Sequence, residues 1–142
     1  MKERVQNGLK EAKWDLENAK ILFENKRYST AVFHSQQASE KAVKALLFYR
    51  NLNGWGHSIN SLLEKYREEE KRQINTIQNE ARELDRNYIT TRYPDALPEI
   101  APQDAYDKID AEKSINQAKK FFSFVESEIN YFKQETKVKK NE

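Results

Sequence analysis

Arg50 and His57 are the two residues whose types and placement best suit a chemical reaction. Asn51 follows the arginine directly, and a loop containing Gly54 and Gly56 can reverse the chain and bring His57 back beside the helix end. An arginine offers a fixed positive charge to phosphate oxygens, and a histidine titrates near neutrality. The pair therefore predicts metal-independent RNA cleavage. The histidine would take a 2′-hydroxyl proton or protonate the leaving oxygen, while the arginine stabilises charge on phosphorus.

A purely structural interpretation of the same pair stays open. An arginine near a helix C-terminus interacts favourably with the exposed carbonyl groups, and a histidine is acceptable at a helix start. In that case Arg50 and His57 would only complete two helix ends.

Composition excludes several classes of site. The chain has no cysteine, which rules out disulfides and thiolate metal sites and fits a reducing compartment. It has two histidines and no Glu-x-x-His motif, so we expect no metal site and no cofactor. His34 lies among aromatic residues and is predicted to pack in a partly buried position instead of binding a ligand. Gly54 and Gly56 follow a helical pattern instead of preceding a Walker-type lysine, so no phosphate loop is predicted.

Charge and hydropathy limit the partners. The 25 Lys and Arg residues nearly balance the 23 Asp and Glu residues, and the two signs are mixed along the chain, which argues against duplex DNA as a partner. The N-terminus lacks the apolar run of a signal peptide, and no segment has the roughly 20 apolar residues of a membrane span. We therefore expect a cytoplasmic protein without membrane contact.

Four further residues are predicted to bind a nucleotide or phosphate: Lys41, Lys44, Arg92 and Tyr93. Both lysines have an alternative interpretation as surface pairs, because Gln36, Glu40 and Lys44 are spaced at i, i+4, as are Gln37 and Lys41. Arg92 and Tyr93 directly precede Pro94, in a loop long enough to be functional. The alternative there is a helix stop followed by a prolyl turn.

The elements that must position these residues are helices. Apolar residues recur at steps of three and four nearly everywhere, which predicts an all-α, antiparallel up-and-down four-helix bundle with an additional short helix. The long second helix, from Tyr28 to the Asn/Gly break, has small residues that suit a central position. Ser58 or His57 is the predicted cap of the short helix, and Asp110 that of the last one. Residues 67–72 are charged and form either a solvated helix face or a bend.

We expect a single domain over residues 1–135 and a frayed polar tail over 136–142. The aromatic segment at 121–132 has helical spacing and is predicted to be core instead of a base-stacking platform. Trp14 and Trp55 fall off the main apolar stripes, which hints at a partner surface.

Two separated motifs resemble the HEPN family, named for higher eukaryotes and prokaryotes nucleotide-binding. The residues of the first match are Tyr28, Ala31, Gln37, Ala38, Glu40, Lys41, Lys44, Ala45, Leu46, Leu47, His57 and Leu62. The second match lies in the run from Leu84 to Asp95, with Tyr88 and the sequence Arg92-Tyr93-Pro94-Asp95. It looks like the stand-alone archaeal and bacterial members.

The resemblance implies a helical bundle that forms a homodimer. Many members resemble toxins with an Arg-x(4–6)-His motif that cleaves RNA without a metal, and here Arg50, Asn51 and His57 match it with six residues between arginine and histidine. Such toxins are often partnered by a nucleotidyltransferase antitoxin. One departure is Ile59, where toxin-like members often have a tyrosine. The alternatives are a non-catalytic nucleotide- or substrate-binding partner of a minimal nucleotidyltransferase, and a helical adaptor without a reactive site.

Overall fold

The computed structural model describes residues 1–93 and 99–141, in which every regular element is an α-helix. The helices are α1 (Glu3–Glu24), α2 (Tyr28–Tyr49), α3 (Ile59–Glu70), α4 (Gln78–Arg92), α5 (Pro102–Ala105) and α6 (Lys108–Asn141). The predicted all-α class is thus confirmed. No described helix is both long and apolar enough to cross a membrane.

Helices α1 and α2 form an antiparallel pair. Gly8, early in α1, packs against Ala45, late in α2. Asp15, further along α1, binds Lys41, which lies earlier in α2. The turn between the two helices contains Lys26 in the left-handed region, with φ 62°. The chain therefore reverses direction within these few residues.

Helices α4 and α6 also run antiparallel. Glu80 binds Lys120, whereas Glu83, one turn later in α4, binds Lys113, which lies earlier in α6. Helix α6 contacts the end of α2 through Phe132 and Arg50. Helices α1, α2, α4 and α6 therefore alternate in direction as an up-and-down bundle.

Helix α2 is the central helix of the bundle and contacts each of the other described helices. Its small residues Ala31, Ala38, Ala42 and Ala45 are completely buried. Small side chains let neighbouring helices approach closely, which explains why polar side chains of α2 become buried between its neighbours.

The main core lies between α2, α3, α4 and α6, and α6 supplies most of its aromatic side chains. The buried residues of the segment predicted to be core are Phe121, Phe122, Val125, Ile129 and Phe132. Complete burial of a side chain of this size contributes about 1.5–3 kcal/mol, so this face of α6 is a major source of packing energy. The core prediction for this segment is confirmed.

A buried carboxylate joins α3 to α6. Glu128 accepts a hydrogen bond of 2.7 Å from the Tyr66 hydroxyl and two of 2.8 Å from the Arg72 guanidinium, which lies 3.6 Å above the Tyr131 ring. Burial acts to raise the pKa of Glu128, but the hydrogen bonds from Arg72 and Tyr66 outweigh it, so the pKa is lowered. Burial, together with the neighbouring Glu128, raises the pKa of Tyr66.

The charged run 67–72 proves to be a helix face followed by a bend. Helix α3 continues to Glu70 and stops at Lys71, which is left-handed with φ 56°. Ile74 and Ile77 continue the three- and four-residue apolar spacing of Ala81 and Leu84, yet they precede α4 and are buried in the turn. Burial of these two side chains follows from their hydrophobicity and does not require helical backbone.

Helix α6 begins earlier and ends later than predicted. Asp107 accepts the backbone N–H of Asp110 at 2.9 Å, and Asp110 accepts that of Asp107 at 3.0 Å. This is a reciprocal capping arrangement, so Asp110 is the inner partner and Asp107 the cap. At the other end, the segment predicted as a frayed tail continues α6 to Asn141 with exposed side chains. Glu142, like residues 94–98, lies outside the described residues.

Candidate functional site

His57 lies at the end of the α2–α3 loop with its ring held on two sides. Its Nδ1 is 3.3 Å from Oε2 of Glu40, and its ring is stacked on Tyr88 of α4 at 5.0 Å between centroids and 15° between planes. A carboxylate can only accept, so Nδ1 donates in this bond, and in the neutral imidazole it is Nε2 that carries the lone pair. The side chain is 58% exposed. His57 is therefore oriented by the protein and open to a substrate.

Glu40 is a buried carboxylate that organises this site. Its side chain is 5% exposed and lies within 3.1 Å of Lys44 Nζ, and it accepts a hydrogen bond of 3.2 Å from Gln36. A buried charge is tolerated only when it is paired and hydrogen-bonded, and both conditions hold here. Because Gln36 and Glu40 are buried, the surface-pair interpretation is wrong for these two residues.

Arg92, in the last turn of α4, brings a second cation to the same place. Its guanidinium lies 4.5 Å from the Tyr88 ring centre and 5.0 Å from the Phe33 ring centre. The ring that stacks on His57 therefore also contacts Arg92. We call Glu40, Lys44, His57, Tyr88 and Arg92 the His57 site. Its two cations contact the carboxylate and the ring that hold the exposed imidazole, a combination suited to a phosphate.

Arg50 is engaged elsewhere. Its Nε donates to Glu70 Oε1 at 3.0 Å, its Nη2 donates to Glu70 Oε2 at 3.2 Å, and its guanidinium lies 3.7 Å from the Phe132 ring centre. Glu40, the partner of His57, precedes Arg50 by ten residues of α2, which is about 15 Å along a helix. The predicted pair therefore binds two separate carboxylates within one chain.

The loop explains this separation. After α2 ends, residues 50–58 return along the side of that helix instead of turning at its end, and Gly54 lies against Lys44 and Phe48. A Cβ at Gly54 would lie 3.2 Å from the Phe48 ring, so the close approach favours glycine. Gly56 has φ 91°, which other residues rarely adopt. The two glycines place His57 beside the middle of α2.

The remaining predicted residues are dispersed. Asn51 is exposed, left-handed with φ 59°, and accepts a hydrogen bond from the Lys2 ammonium group. Lys41 binds Asp15 of α1 at 2.6 Å, whereas Lys44 binds Glu40 within the His57 site. Tyr93 is 52% exposed just after α4. The Pro94 and Asp95 part of the second motif lies outside the described residues.

His34 forms a second histidine–carboxylate pair. Its Nδ1 is 3.1 Å from Asp15 Oδ1, and its side chain is 25% exposed. Burial acts to raise the pKa of Asp15, but hydrogen bonds from His34 and Lys41 and their positive charge outweigh it and lower the pKa. His34 thus does more than the packing predicted for it, although it is less accessible than His57.

Sequence reasoning missed two members of the site as functional residues, Glu40 and Tyr88. Glu40 had a visible signal in its i, i+4 spacing to Lys44, but the same spacing is typical of solvated helix faces. Tyr88 lies on an apolar stripe, so its pattern predicts core. Only the packing of the α2–α3 loop between α2 and α4 shows that both contact His57.

Similar structures define the class of protein. TT1696 from Thermus thermophilus is 35% identical, with a TM-score of 0.84 over 89% of this chain and 99% of that one. ST0689, an archaeal HEPN homologue, is 38% identical, with a TM-score of 0.76 over 91% and 99%. The HEPN domain protein tm0613 from Thermotoga maritima is 36% identical, with a TM-score of 0.67 over 85% and 95%.

The HEPN domain model matches residues 5–128, and the chain belongs to this family. A relative from Methanocaldococcus jannaschii, named "Putative toxin MJ1304", is 30% identical over 78% of this chain and 78% of its own length. The match to the domain model includes every residue of the His57 site.

Proposed function

We propose that this protein is a toxin-type HEPN ribonuclease that cleaves RNA without a metal ion, with His57 as the proton-transfer group. The observation that supports the proposal most is the exposed imidazole of His57, oriented by buried Glu40, with Lys44 bound to the same carboxylate and Arg92 in contact with the Tyr88 ring that stacks on His57. The toxin assignment draws on the name of the relative from Methanocaldococcus jannaschii.

The reaction follows from the free Nε2 of His57. As a base, Nε2 takes the proton of a ribose 2′-hydroxyl, and the 2′-oxygen attacks the adjacent phosphorus. The bond from phosphorus to the 5′-oxygen breaks, and that oxygen receives a proton from the imidazolium or from water. The products are a 2′,3′-cyclic phosphate and a 5′-hydroxyl. Lys44 and Arg92 would stabilise the negative charge that develops on the phosphate oxygens.

Arg50, Asn51 and His57 form the Arg-x6-His motif of the proposed ribonuclease. Within one chain Arg50 is held by Glu70 and Phe132, so its guanidinium would reach a phosphate only by leaving Glu70 or from a second copy. We therefore place the complete motif in a homodimer, with the two Arg50–His57 pairs facing one cleft. The proposed antitoxin partner is a nucleotidyltransferase.

The test uses the two histidines as a matched pair. Purified wild-type protein, His57→Ala and His34→Ala are incubated with several unstructured RNAs in EDTA, and the products are resolved by size and by end group. We expect wild-type and His34→Ala to leave 2′,3′-cyclic phosphate ends and His57→Ala to be at least about 100-fold slower, the size expected for losing a general base. Both histidines bind buried carboxylates, so His34→Ala controls for the loss of such a pair.

Equal cleavage by wild-type and His57→Ala, or none by either on varied RNAs, contradicts the catalytic proposal. A second candidate then remains, a nucleotide-binding partner of a nucleotidyltransferase without chemistry of its own. The observation that favours it is the ion pair between Arg50 and Glu70, because Arg50 and His57 then do not act on one phosphate within a single chain. Calorimetric binding of ATP by the inactive protein is the result that this candidate requires.

A further inference from the structure

A cleft separate from the His57 site opens between the start of α1 and the α2–α3 loop. Its volume is about 500 Å³, in the range of small-molecule sites. The side chains that matter for its chemistry are Lys2, Arg4, Phe48, Asn51, Asn53 and Trp55. No carboxylate lines it, and all of its lining residues lie in the described part of the chain. The cleft is therefore cationic, aromatic and rich in amides.

The two cations are available to an anion. Lys2 donates to the neutral side-chain oxygen of Asn51, and the guanidinium of Arg4 lies 3.7 Å from the Phe48 ring centre. Neither forms an ion pair with a carboxylate of the described residues, unlike Lys44 and Arg50. A phosphate would thus gain two charge-assisted contacts without displacing an acidic partner.

Trp55 is the aromatic platform of this cleft. It is 83% exposed, the most exposed of the large apolar side chains in the described residues. Gly54 and Gly56 flank it, and Gly54 packs closely on Phe48 and Lys44. Exposure of the Trp55 indole to water is unfavourable, because its apolar surface is not buried. The packed backbone at Gly54 keeps the ring exposed, so its face is open to a planar ligand.

The cleft lies close to the His57 site along the chain. Trp55 precedes His57 by two residues, at most about 7 Å of backbone. Lys44, which pairs with Glu40, also contacts Gly54 at the edge of the cleft. Arg92 contacts the Tyr88 ring, which stacks on His57. Both the cleft and the neighbouring His57 site thus combine cations with aromatic rings, a combination typical of proteins that bind single-stranded nucleic acid.

We propose that the cleft binds one nucleotide of a single-stranded RNA, with the base stacked on Trp55 and the adjoining phosphate on Lys2 and Arg4. The identity of the ligand rests on the proposed function, whereas binding itself does not depend on cleavage. The cleft would hold the RNA so that a neighbouring phosphodiester lies at His57. Its contribution to affinity would not depend on the identity of the base, since every base has a face that can stack.

The chain contains two tryptophans, Trp14 and Trp55, and this makes a matched fluorescence experiment simple. Both are exposed, and Trp14 lies on α1 beside Lys10 and Lys13, away from the cleft. In a His57→Ala background that prevents cleavage, Trp14→Phe leaves Trp55 as the reporter, and Trp55→Phe leaves Trp14. Each is titrated with a ten-nucleotide oligoadenylate at low salt, and affinity is measured separately by anisotropy of a labelled oligomer.

We expect oligoadenylate to quench the Trp55 reporter and to leave the Trp14 reporter unchanged. Trp55→Ala should weaken binding roughly ten-fold, the loss typical of one stacked base. Lys2→Gln combined with Arg4→Gln should reduce the slope of log affinity against log salt by about 0.7 per cation. Lys10→Gln combined with Lys13→Gln, on the same helix, should leave the slope unchanged.

The proposal is overturned if oligoadenylate does not change Trp55 fluorescence and Trp55→Ala binds it as tightly as the protein with Trp55. Equal quenching of the Trp55 and Trp14 reporters also overturns it. Quenching by ATP but not by oligoadenylate assigns the cleft to a free nucleotide and overturns the RNA assignment. Quenching of Trp55 by oligoadenylate supports the inference even if wild-type protein cleaves no RNA. A last outcome is that His57→Ala abolishes cleavage whereas Trp55→Ala and Lys2→Gln with Arg4→Gln leave the cleavage rate unchanged. That result supports the proposed function and overturns this inference.

Discussion

At the scale of single residues, charge partners decide what each side chain can do. Arg50 and His57 are the reactive candidates of the sequence, yet each is oriented by a carboxylate. Arg50 binds Glu70, twenty residues further along the chain, and His57 binds buried Glu40. Glu70 and Phe132 hold the guanidinium of Arg50, whereas Glu40 fixes the tautomer of His57. Glu40 binds only one nitrogen of His57, so the other nitrogen can reach a substrate. Glu70 binds two nitrogens of Arg50, so that guanidinium is less available.

Arg50→Ala is expected to destabilise the fold through the loss of these contacts. A half-buried, two-point ion pair and a cation–π contact together contribute about 1–3 kcal/mol. Arg67→Ala is the matched control, because Arg67 makes an i, i+3 pair with Glu64 on the solvated face of α3, and its loss should leave the stability nearly unchanged. Urea denaturation measures both. Equal stability of the two variants would show that Arg50 has no structural role.

At the scale of elements, the start of α3 determines where His57 lies. Ser58 is the N-cap, as predicted, and accepts the Ser61 N–H at 3.1 Å. Asp85 of α4 adds a second cap, accepting the N–H groups of Ile59 at 2.6 Å and Asn60 at 3.0 Å. A carboxylate at a helix N-terminus satisfies unpaired N–H donors and interacts favourably with the helix dipole. Asp85 thereby fixes the loop end that carries His57.

Asp85→Asn should therefore lower the free energy of unfolding by about 1–2 kcal/mol, since one acceptor and the negative charge are lost. The amide protons of Ile59 and Asn60 should exchange faster with solvent, which NMR detects residue by residue. Asp104→Asn, an exposed carboxylate in the short helix α5, is the control and should change neither quantity. Unchanged exchange at Ile59 in Asp85→Asn would refute the second cap.

At the scale of the whole molecule, paired carboxylates make the fold sensitive to acid. The pKa of Asp15 is lowered by its hydrogen bonds to His34 and Lys41 in spite of burial, and that of Glu83 mainly by its hydrogen bond to Lys113. The pKa of Glu128 is lowered in the same way as that of Asp15. A lowered folded-state pKa gives stability that is present above the unfolded pKa and is lost as the pH falls through the folded value.

Wild-type protein should thus lose stability progressively as the pH falls below about 4.5, where unfolded carboxylates begin to protonate. Glu128→Gln should cost about 2–4 kcal/mol at neutral pH, because it removes the charged partner of Arg72. The difference between Glu128→Gln and wild-type should shrink as the pH falls. Glu126→Gln, exposed on the same helix, is the control. A difference that stays constant with pH would contradict this assignment.

Local patterns in the sequence were sufficient for the class of fold. Helices α2 and α3 begin where periodicity and turn residues predicted them, because burial of an apolar stripe and the end of a helix at Asn and Gly are local properties. Errors arose where a local pattern has two physical outcomes. The apolar spacing of α4 continues back to Ile74, which lies before the helix, because a side chain can also be buried from a turn.

The sequence by itself determined the chemical inventory of this protein: an all-α chain with two histidines, no thiol and Arg50 and His57 as its reactive candidates. Only the tertiary structure decided which groups meet. It brought His57 against Glu40 and Tyr88, which in turn contact Lys44 and Arg92, and it joined Arg50 to Glu70. The physical reason is that these contacts depend on the path of the 50–58 loop along α2. That path is fixed by packing between helices distant in sequence, which no local spacing encodes.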